Sequence, residues 1–517
     1  MAFRQKITTG ISTITDVQKR DVEALNRLLK SKEKTSKVSK GVNVVDRYSA
    51  IRTQINQVLG TADVVYDCIR TEAELSNYVQ SCIANGIYAI DTETTSLDPI
   101  TTTLVGFSLF TPGRNPVYIP VNHIGYVTQV RLDSQVTEQQ AKTQLQKLLG
   151  CKAILHNAKF DIRVLKAILE IEIVPFWDTM LGAKLIKEDE SAALKYQYAK
   201  VFEGKAKKEY DFDSLFGGLD FRAVPLDIAS VYGAADAYKT YMLYEYQKQW
   251  FDAQDNIHVK SVMQNIEMPL VNCIADMEDT GIALNVDTCT ELSVKYHERA
   301  EQYKKECERI INEQYGQLIA EFRIKNVELG SKLSNPVAIT SPQQLAILIY
   351  DIAKIQSPDS RNPRGTGEDI ITMLGDKLPF GKALLEYRHN LKLLSTYIDK
   401  LPECVNTRTN KIHASFHQYG AATGRFSSSD PNLQNIPARG EAKEIRHIFT
   451  ASKDVEVIKD CYEDTIVLGV KDIVPTQRGD VEAGKLVQND ILLFEGGQQR
   501  YVRTVEIKGS SAVQISW

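Results

Sequence analysis

Apolar positions recur along the chain in three textures, and each predicts a different kind of element. Between 61 and about 250, short apolar runs alternate with helical patterns. Thr71-Glu72-Ala73-Glu74 offers a hydroxyl cap and, three residues on, a carboxylate that reaches back, so a helix is expected to start there. IYAID at 87–91, LVGFSLF at 104–110 and VYIPVN at 117–122 are rich in β-branched and aromatic residues and predict strands. Together these predict an α/β unit, a mixed sheet flanked by helices. From about 251 to 400 the pattern becomes helical, with a long amphipathic stretch near 286–320. A cap followed by a first-turn proline, Ser341-Pro342, opens another helix over QQLAILIYD. After 461 the runs TIVLGV, DILLF, YVRTVEI and AVQIS, punctuated by glycine, predict a small all-β segment. Residues 1–60 are polar, weakly patterned and locally basic, with KSKEKTSKVSK at 30–40, and read as a flexible arm.

At 517 residues the chain has room for about three domains. Its 43% apolar and 25% charged residues are those of an ordinary globular protein. The absence of a long apolar run, of an h-region in MAFRQKITTG and of any CxxC pair among eight scattered cysteines predicts a reduced, cytoplasmic protein with no membrane partner. A net charge of −4 does not advertise a nucleic-acid binder, but a groove needs only a local basic stripe.

Candidate chemistry sits in three separated segments. The strand at 87–91 runs into Asp91-Thr92-Glu93, and residues two apart on a strand face the same side. LHNAKFD places Asn157 and Asp161 four apart at the start of a helix, and VYGAADAYK places Tyr232 and Asp236 four apart on one helical face. A lone Asp-Thr-Glu is commonly a surface turn; the three sets together, each in its own setting, are far rarer by chance. Hydrolysis of a phosphodiester asks for such a set. Two divalent ions about 4 Å apart activate a water and neutralise the leaving oxygen, and hard Mg²⁺ or Mn²⁺ prefers carboxylate oxygen.

AIDTETTSLDP, HNAKFD and YGAADA resemble the three exonuclease motifs of the DEDD family in its tyrosine-bearing branch. The resemblance implies a ribonuclease H-like domain over 61–250 that trims nucleic acid from the 3′ end. Asp91, Glu93, Asp161 and Asp236 would hold two Mg²⁺ or Mn²⁺ ions, Tyr232 would position the attacking water, and Asn157 would touch DNA.

EMPLVNCIADMEDTGIALN (267–285), SPQQLAILIYD (341–351), LLEYRHNLKLLSTYIDKL (384–401) and, most specifically, ATGRFSSSDPNLQNIPARGEAKEIRHIF (422–449) resemble the thumb and primer-template segment of family A DNA polymerases. A helical thumb and the start of a palm are then expected over 251–460, on primer-template DNA. Arg425, Asn432 and Gln434 can bond acceptors in the minor groove, where readout is degenerate. By the resemblance, Arg439 and Arg446 would lie near the triphosphate and backbone. Asp460, in VEVIKD, is the candidate first palm carboxylate for metal, but nothing downstream resembles the rest of that polymerase site.

From Cys461, CYEDTIV, VEAGKLVQNDILLFEGGQQ and VRTVEIKGSSAVQIS resemble the beginning of an intein. The resemblance implies that the Cys461 thiol attacks the Asp460 carbonyl in an N-to-S acyl shift. The TxxH motif and terminal His-Asn are missing. Residues 461–517 would then be the front of a split intein awaiting a second polypeptide, or a truncated one. A divergent β subdomain with an inert cysteine, or a damaged reading frame, are the alternatives. The expected function is the N-terminal part of a phage or bacterial DNA polymerase with a complete proofreading exonuclease. The rivals are a stand-alone exonuclease with a DNA-clamping remnant, a protein-splicing precursor that functions only after ligation to a partner, and an RNA-processing exonuclease.

Overall fold

The computed structural model describes residues 48–52, 55, 64–125, 128–204, 215–216, 220–421 and 423–450, and the backbone of strands between 465 and 516. The described residues fall into two compact units. The first runs to Thr280 and takes in Phe416–Ser427, and the second comprises Gly281–Ser415 and the residues from Ser428 onward.

In the first unit the strands β1 (Asp67–Cys68), β2 (Ile87–Thr94), β3 (Leu104–Phe110), β4 (Val117–Pro120), β5 (Lys152–Leu155) and β6 (Pro175–Asp178) form one sheet in the order β1-β4-β3-β2-β5-β6. It is mixed: β2 runs antiparallel to β3 and parallel to β5, with Asp91 opposite Ser108. Every residue of β3 is buried, as a continuous apolar run with both faces covered requires.

Helix α1 (Glu72–Asn85) begins as its capping box dictates, Thr71 accepting from the Glu74 N–H and Glu74 accepting in return. It stops at Gly86, which adopts φ 64°, left-handed geometry that glycine tolerates without steric penalty. Helix α2 (Glu138–Leu145) opens on a second such box at Thr137.

Helix α3 (Ala158–Leu169) follows β5. Its first N–H groups are capped from outside: the carboxylate of Asp178 accepts from the N–H of Asn157 (3.0 Å) and Ala158 (2.8 Å). The same carboxylate caps the next helix, α4 (Thr179–Ile186), through the Met180 N–H.

Two further helices complete the elements that carry the site, α5 (Leu194–Tyr198) and the long α6 (Leu226–Asp252). Helix α6 lies on β2, β3 and β4. Gly233 permits that close approach, because a β-carbon there would stand 2.7 Å from the Tyr118 ring. Helix α7 (Met268–Thr280) puts Met268, Val271 and Ala275 into the core under the sheet.

In the second unit α8 (Val286–Lys325) packs on α9 (Gly381–Leu393), with Cys307, Ile311, Leu384 and Tyr387 in one apolar cluster. Asn285 caps α8, and Ser341 with Pro342 opens a short helix as the sequence predicts. A second cluster joins Leu292 and Tyr296 to Ile412, Ile445 and Ile448. Ser427–Ser429, which by itself reads as a loop, forms a short strand.

After 464 the described residues are all strand. Thr465–Gly469 and Thr504–Lys508 both pair antiparallel with Ala512–Ser516. A second sheet runs Gly479–Glu482, Ile473–Thr476, Ile491–Leu493, Gln499–Tyr501. No helix among the described residues is long and apolar enough to cross a membrane.

Candidate functional site

Asp91 and Glu93, two apart on β2, share a face of the strand as the alternation requires. Asp236 comes from α6, one turn beyond Tyr232. Each of the three carboxylates presents an oxygen within 4.8 Å of the other two. Glu93 is buried, and Asp91 and Asp236 are half-buried.

Asp161, from the first turn of α3, is 3% exposed. Thr92 holds it: the Thr92 N–H (2.9 Å) and hydroxyl (2.6 Å) both donate to Asp161 Oδ1. The middle residue of Asp91-Thr92-Glu93 thus ties the fourth carboxylate to the strand that carries the first two. Tyr232 is buried, with Phe216 edge-on to its ring at 5.1 Å and Phe221 tilted at 6.0 Å.

Crowding in a dry site raises three of these carboxyls, those of Asp91, Glu93 and Asp161. Burial, then repulsion from Asp161, Glu93 and Asp236, lifts the Asp91 carboxyl well above the usual carboxylate range. Burial followed by Asp236 pushes Glu93 up to about 8. Burial pushes Asp161 up to about 7 in spite of its two bonds from Thr92. Neighbouring anions in low dielectric keep protons unless a cation joins them.

Asp236 Oδ1 is buried and has no hydrogen-bond partner, an arrangement costly for a carboxylate unless a cation satisfies it. The donors are all hard oxygens. The residues present therefore fit divalent ions of the Mg²⁺ or Mn²⁺ kind.

Two neighbours were not legible in the sequence. Lys195, on α5, puts its ammonium 3.6 Å from Asp236 Oδ2 and 3.8 Å from the centre of the Tyr232 ring. ALKYQY carries no motif that singles it out. Asp178 supports the start of α3; its place just before a helix was the available signal.

Asn157 precedes α3 with φ 62°, half-buried, and its side chain makes no capping bond. The other DNA-contact candidates are exposed. Arg425 belongs to the first unit, and Asn432, Gln434, Arg439 and Arg446 to the second. Arg446 donates to the carbonyls of Pro437 (3.0 Å) and Ile436 (3.4 Å), and Asn432 accepts from the Gln434 N–H. Asp460, Cys461 and most of the N-terminal arm lie outside the described residues.

Comparison with known proteins bears on both units. Residues 66–249 match the 3′–5′ exonuclease family, and residues 301–464 match DNA polymerase family A. The chain is 33% identical over 389 residues to DNA polymerase I of Chloroflexus aurantiacus, covering 74% of this chain and 38% of that protein. With DNA polymerase I of Treponema pallidum the identity is 29% over 476 residues, covering 85% of this chain and 44% of that one. The chain thus spans less than half the length of these relatives. Among solved structures, the polymerase domain of Pol1 from M. smegmatis, in complex with DNA primer-template and dNTP, superposes with a TM-score of 0.58. That match covers 77% of this chain and 60% of that one at 20% identity, a likeness of fold.

Proposed function

From a chain that joins a 3′–5′ exonuclease region to a DNA polymerase family A region, we propose that residues 61–250 form a two-metal 3′–5′ exonuclease acting on DNA and residues 251–460 the thumb and beginning of the palm of the polymerase it proofreads. The observation that carries this is the convergence of Asp91, Glu93 and Asp236 within 4.8 Å, with Asp161 tied to the same strand by Thr92. The mixed sheet supports a ribonuclease H-like description of the unit.

Asp91, Glu93, Asp161 and Asp236 would hold a pair of Mg²⁺ or Mn²⁺ ions, which when bound neutralise charge on the scissile phosphate and raise the acidity of water. The protein's own part is positional. Tyr232 directs its phenol toward the attacking water, Thr92 fixes Asp161, and the apolar wall of Phe216 and Phe221 fixes Tyr232. The polymerase relatives support DNA over RNA as substrate, and the Pol1 complex supports primer-template binding by Arg425, Asn432, Gln434, Arg439 and Arg446.

The test is a 3′ single-stranded DNA end set against the same sequence in RNA, with Mg²⁺ or Mn²⁺ and with chelator. DNA is expected to shorten faster than RNA, only with the ion, and faster as pH rises from about 6 to about 8. The sign follows from the site: protons compete with the ion for carboxylates raised by burial, and raising pH frees them for the ion. Faster RNA trimming would favour the RNA-processing reading instead.

The finer part of the proposal concerns Asp460 and Cys461. Asp460 would be the first palm metal ligand of the polymerase site. Cys461 would begin an intein segment that joins this chain to a second polypeptide. The run of antiparallel strands from Thr465 onward supports it. Mixed with a polypeptide bearing an intein C-terminus followed by further palm motifs, the chain is expected to yield a ligated product lacking 461–517 by mass spectrometry. An unchanged mixture supports the free-standing exonuclease.

A further inference from the structure

Lys195 is the one cation described at the carboxylate cluster, and no step above employs it. Its side chain is 17% exposed, so its charge is felt at low screening. The ammonium lies over the face of Tyr232, 3.8 Å from the ring centre, close for a cation–π contact. It is 3.6 Å from Asp236 Oδ2, an ionic approach longer than a tight hydrogen bond. Tyr232 and Asp236 are one turn apart on α6, so a single ammonium from α5 touches both. Phe216 pins the Tyr232 ring from the side, edge-on at 5.1 Å.

We propose that Lys195 is a positioning residue of the exonuclease site. Its ammonium braces the Tyr232 ring beside Asp236, so that the phenol stays directed at the attacking water, while its charge weakens the hold of the carboxylates on divalent ions. The inference rests on the exonuclease reading. The charge reaches beyond Asp236, whose carboxylate presents an oxygen within 4.8 Å of those of Asp91 and Glu93. A purely structural ion pair would strengthen the site in every respect. A brace that is also a competing cation has opposed effects, and these can be measured separately.

The experiment compares wild type, Lys195→Met, Lys195→Arg and Asp236→Asn. Mn²⁺ affinity is read from the electron paramagnetic resonance of free Mn²⁺, and kcat and KM from trimming of a labelled oligothymidylate. Methionine keeps the length and removes the charge. Lys195→Met is expected to lose about tenfold to a hundredfold in kcat with KM nearly unchanged. It should bind Mn²⁺ about threefold to tenfold more tightly. Lys195→Arg should recover most of kcat, since guanidinium also stacks on an aromatic face.

Unchanged kcat in Lys195→Met, with active wild type and inactive Asp236→Asn, sinks the inference and leaves the exonuclease reading standing. So does a joint loss of kcat and Mn²⁺ affinity with a lowered melting temperature, the mark of a structural role. If Lys195→Met does not fold, Lys195→Arg decides through its kcat, which must stay near wild type. A wild-type protein that leaves DNA intact removes both readings together.

Discussion

Asp91→Ala with Glu93→Ala is expected to lower metal-dependent trimming of single-stranded DNA on the order of a thousandfold or more, while duplex binding stays nearly intact. The two carboxylates occupy one face of β2, and they are two of the three groups whose oxygens converge within 4.8 Å. Their removal leaves Asp236 and Asp161 unable to hold a pair of ions. The fold should survive, because burial raises both carboxyls, and in the metal-free protein that makes them a liability for folding near neutral pH. For a carboxyl raised by folding, stability is greatest at low pH and is lost as pH rises through the folded value, about 8 for Glu93. The alanine pair should therefore melt no lower than wild type at pH 8 without ions, and Mn²⁺ should no longer raise its melting temperature. Trimming assays with chelator and Mn²⁺ arms, beside calorimetry, check both halves. Retained trimming would move the active site elsewhere.

The second large effect is on stability. Glu278, on α7, is 1% exposed, and its carboxylate takes Lys159 Nζ at 2.5 Å, Arg163 at 2.6 Å and the Phe416 N–H at 2.6 Å. Lys159 and Arg163 are on α3, the helix that carries Asp161. Glu278→Ala strands two cations that are 18% and 8% exposed. Breaking a buried pair from one side costs about 3–5 kcal/mol. Arg163 retains Asp279 at 2.6 Å, so the lower end is expected. Melting of the first unit should fall by roughly 6 °C or more, with reduced trimming as α3 loosens. A shift within experimental scatter would mean that Asp279 and the Phe416 carbonyl hold the cations unaided.

Asp91 and Glu93 differ from Glu278 in how far the sequence exposes them. Asp91 and Glu93 are local statements: strand periodicity fixes their shared side, and an apolar run ending in two carboxylates is visible without any partner. Helix starts at Thr71 and Ser341 are local in the same way, since a cap acts over three residues. The β3 span followed from its apolar run, while β2 runs three residues past 91 and α8 ends five past 320. Glu278 and Lys195 had no such signal. One is an ordinary charge on a helix and the other a lysine in ALKYQY, and their partners lie 115 and 41 positions away.

The sequence by itself determined the elements, the identity of the acidic groups and the family they resemble, because propensity, capping and periodicity act between near neighbours. Tertiary structure alone decided that Asp236 reaches Asp91 and Glu93 within 4.8 Å, that Thr92 anchors Asp161, and that a lysine stands over Tyr232. It also decided that Phe416–Ser427, read from sequence as polymerase, belongs to the compact unit that holds the carboxylates. Distances between segments far apart in the chain depend on how helices seat on the sheet, as the bare backbone at Gly233 lets α6 do against Tyr118. Burial, which raises the carboxyls of Asp91, Glu93 and Asp161, arises only once the layers close.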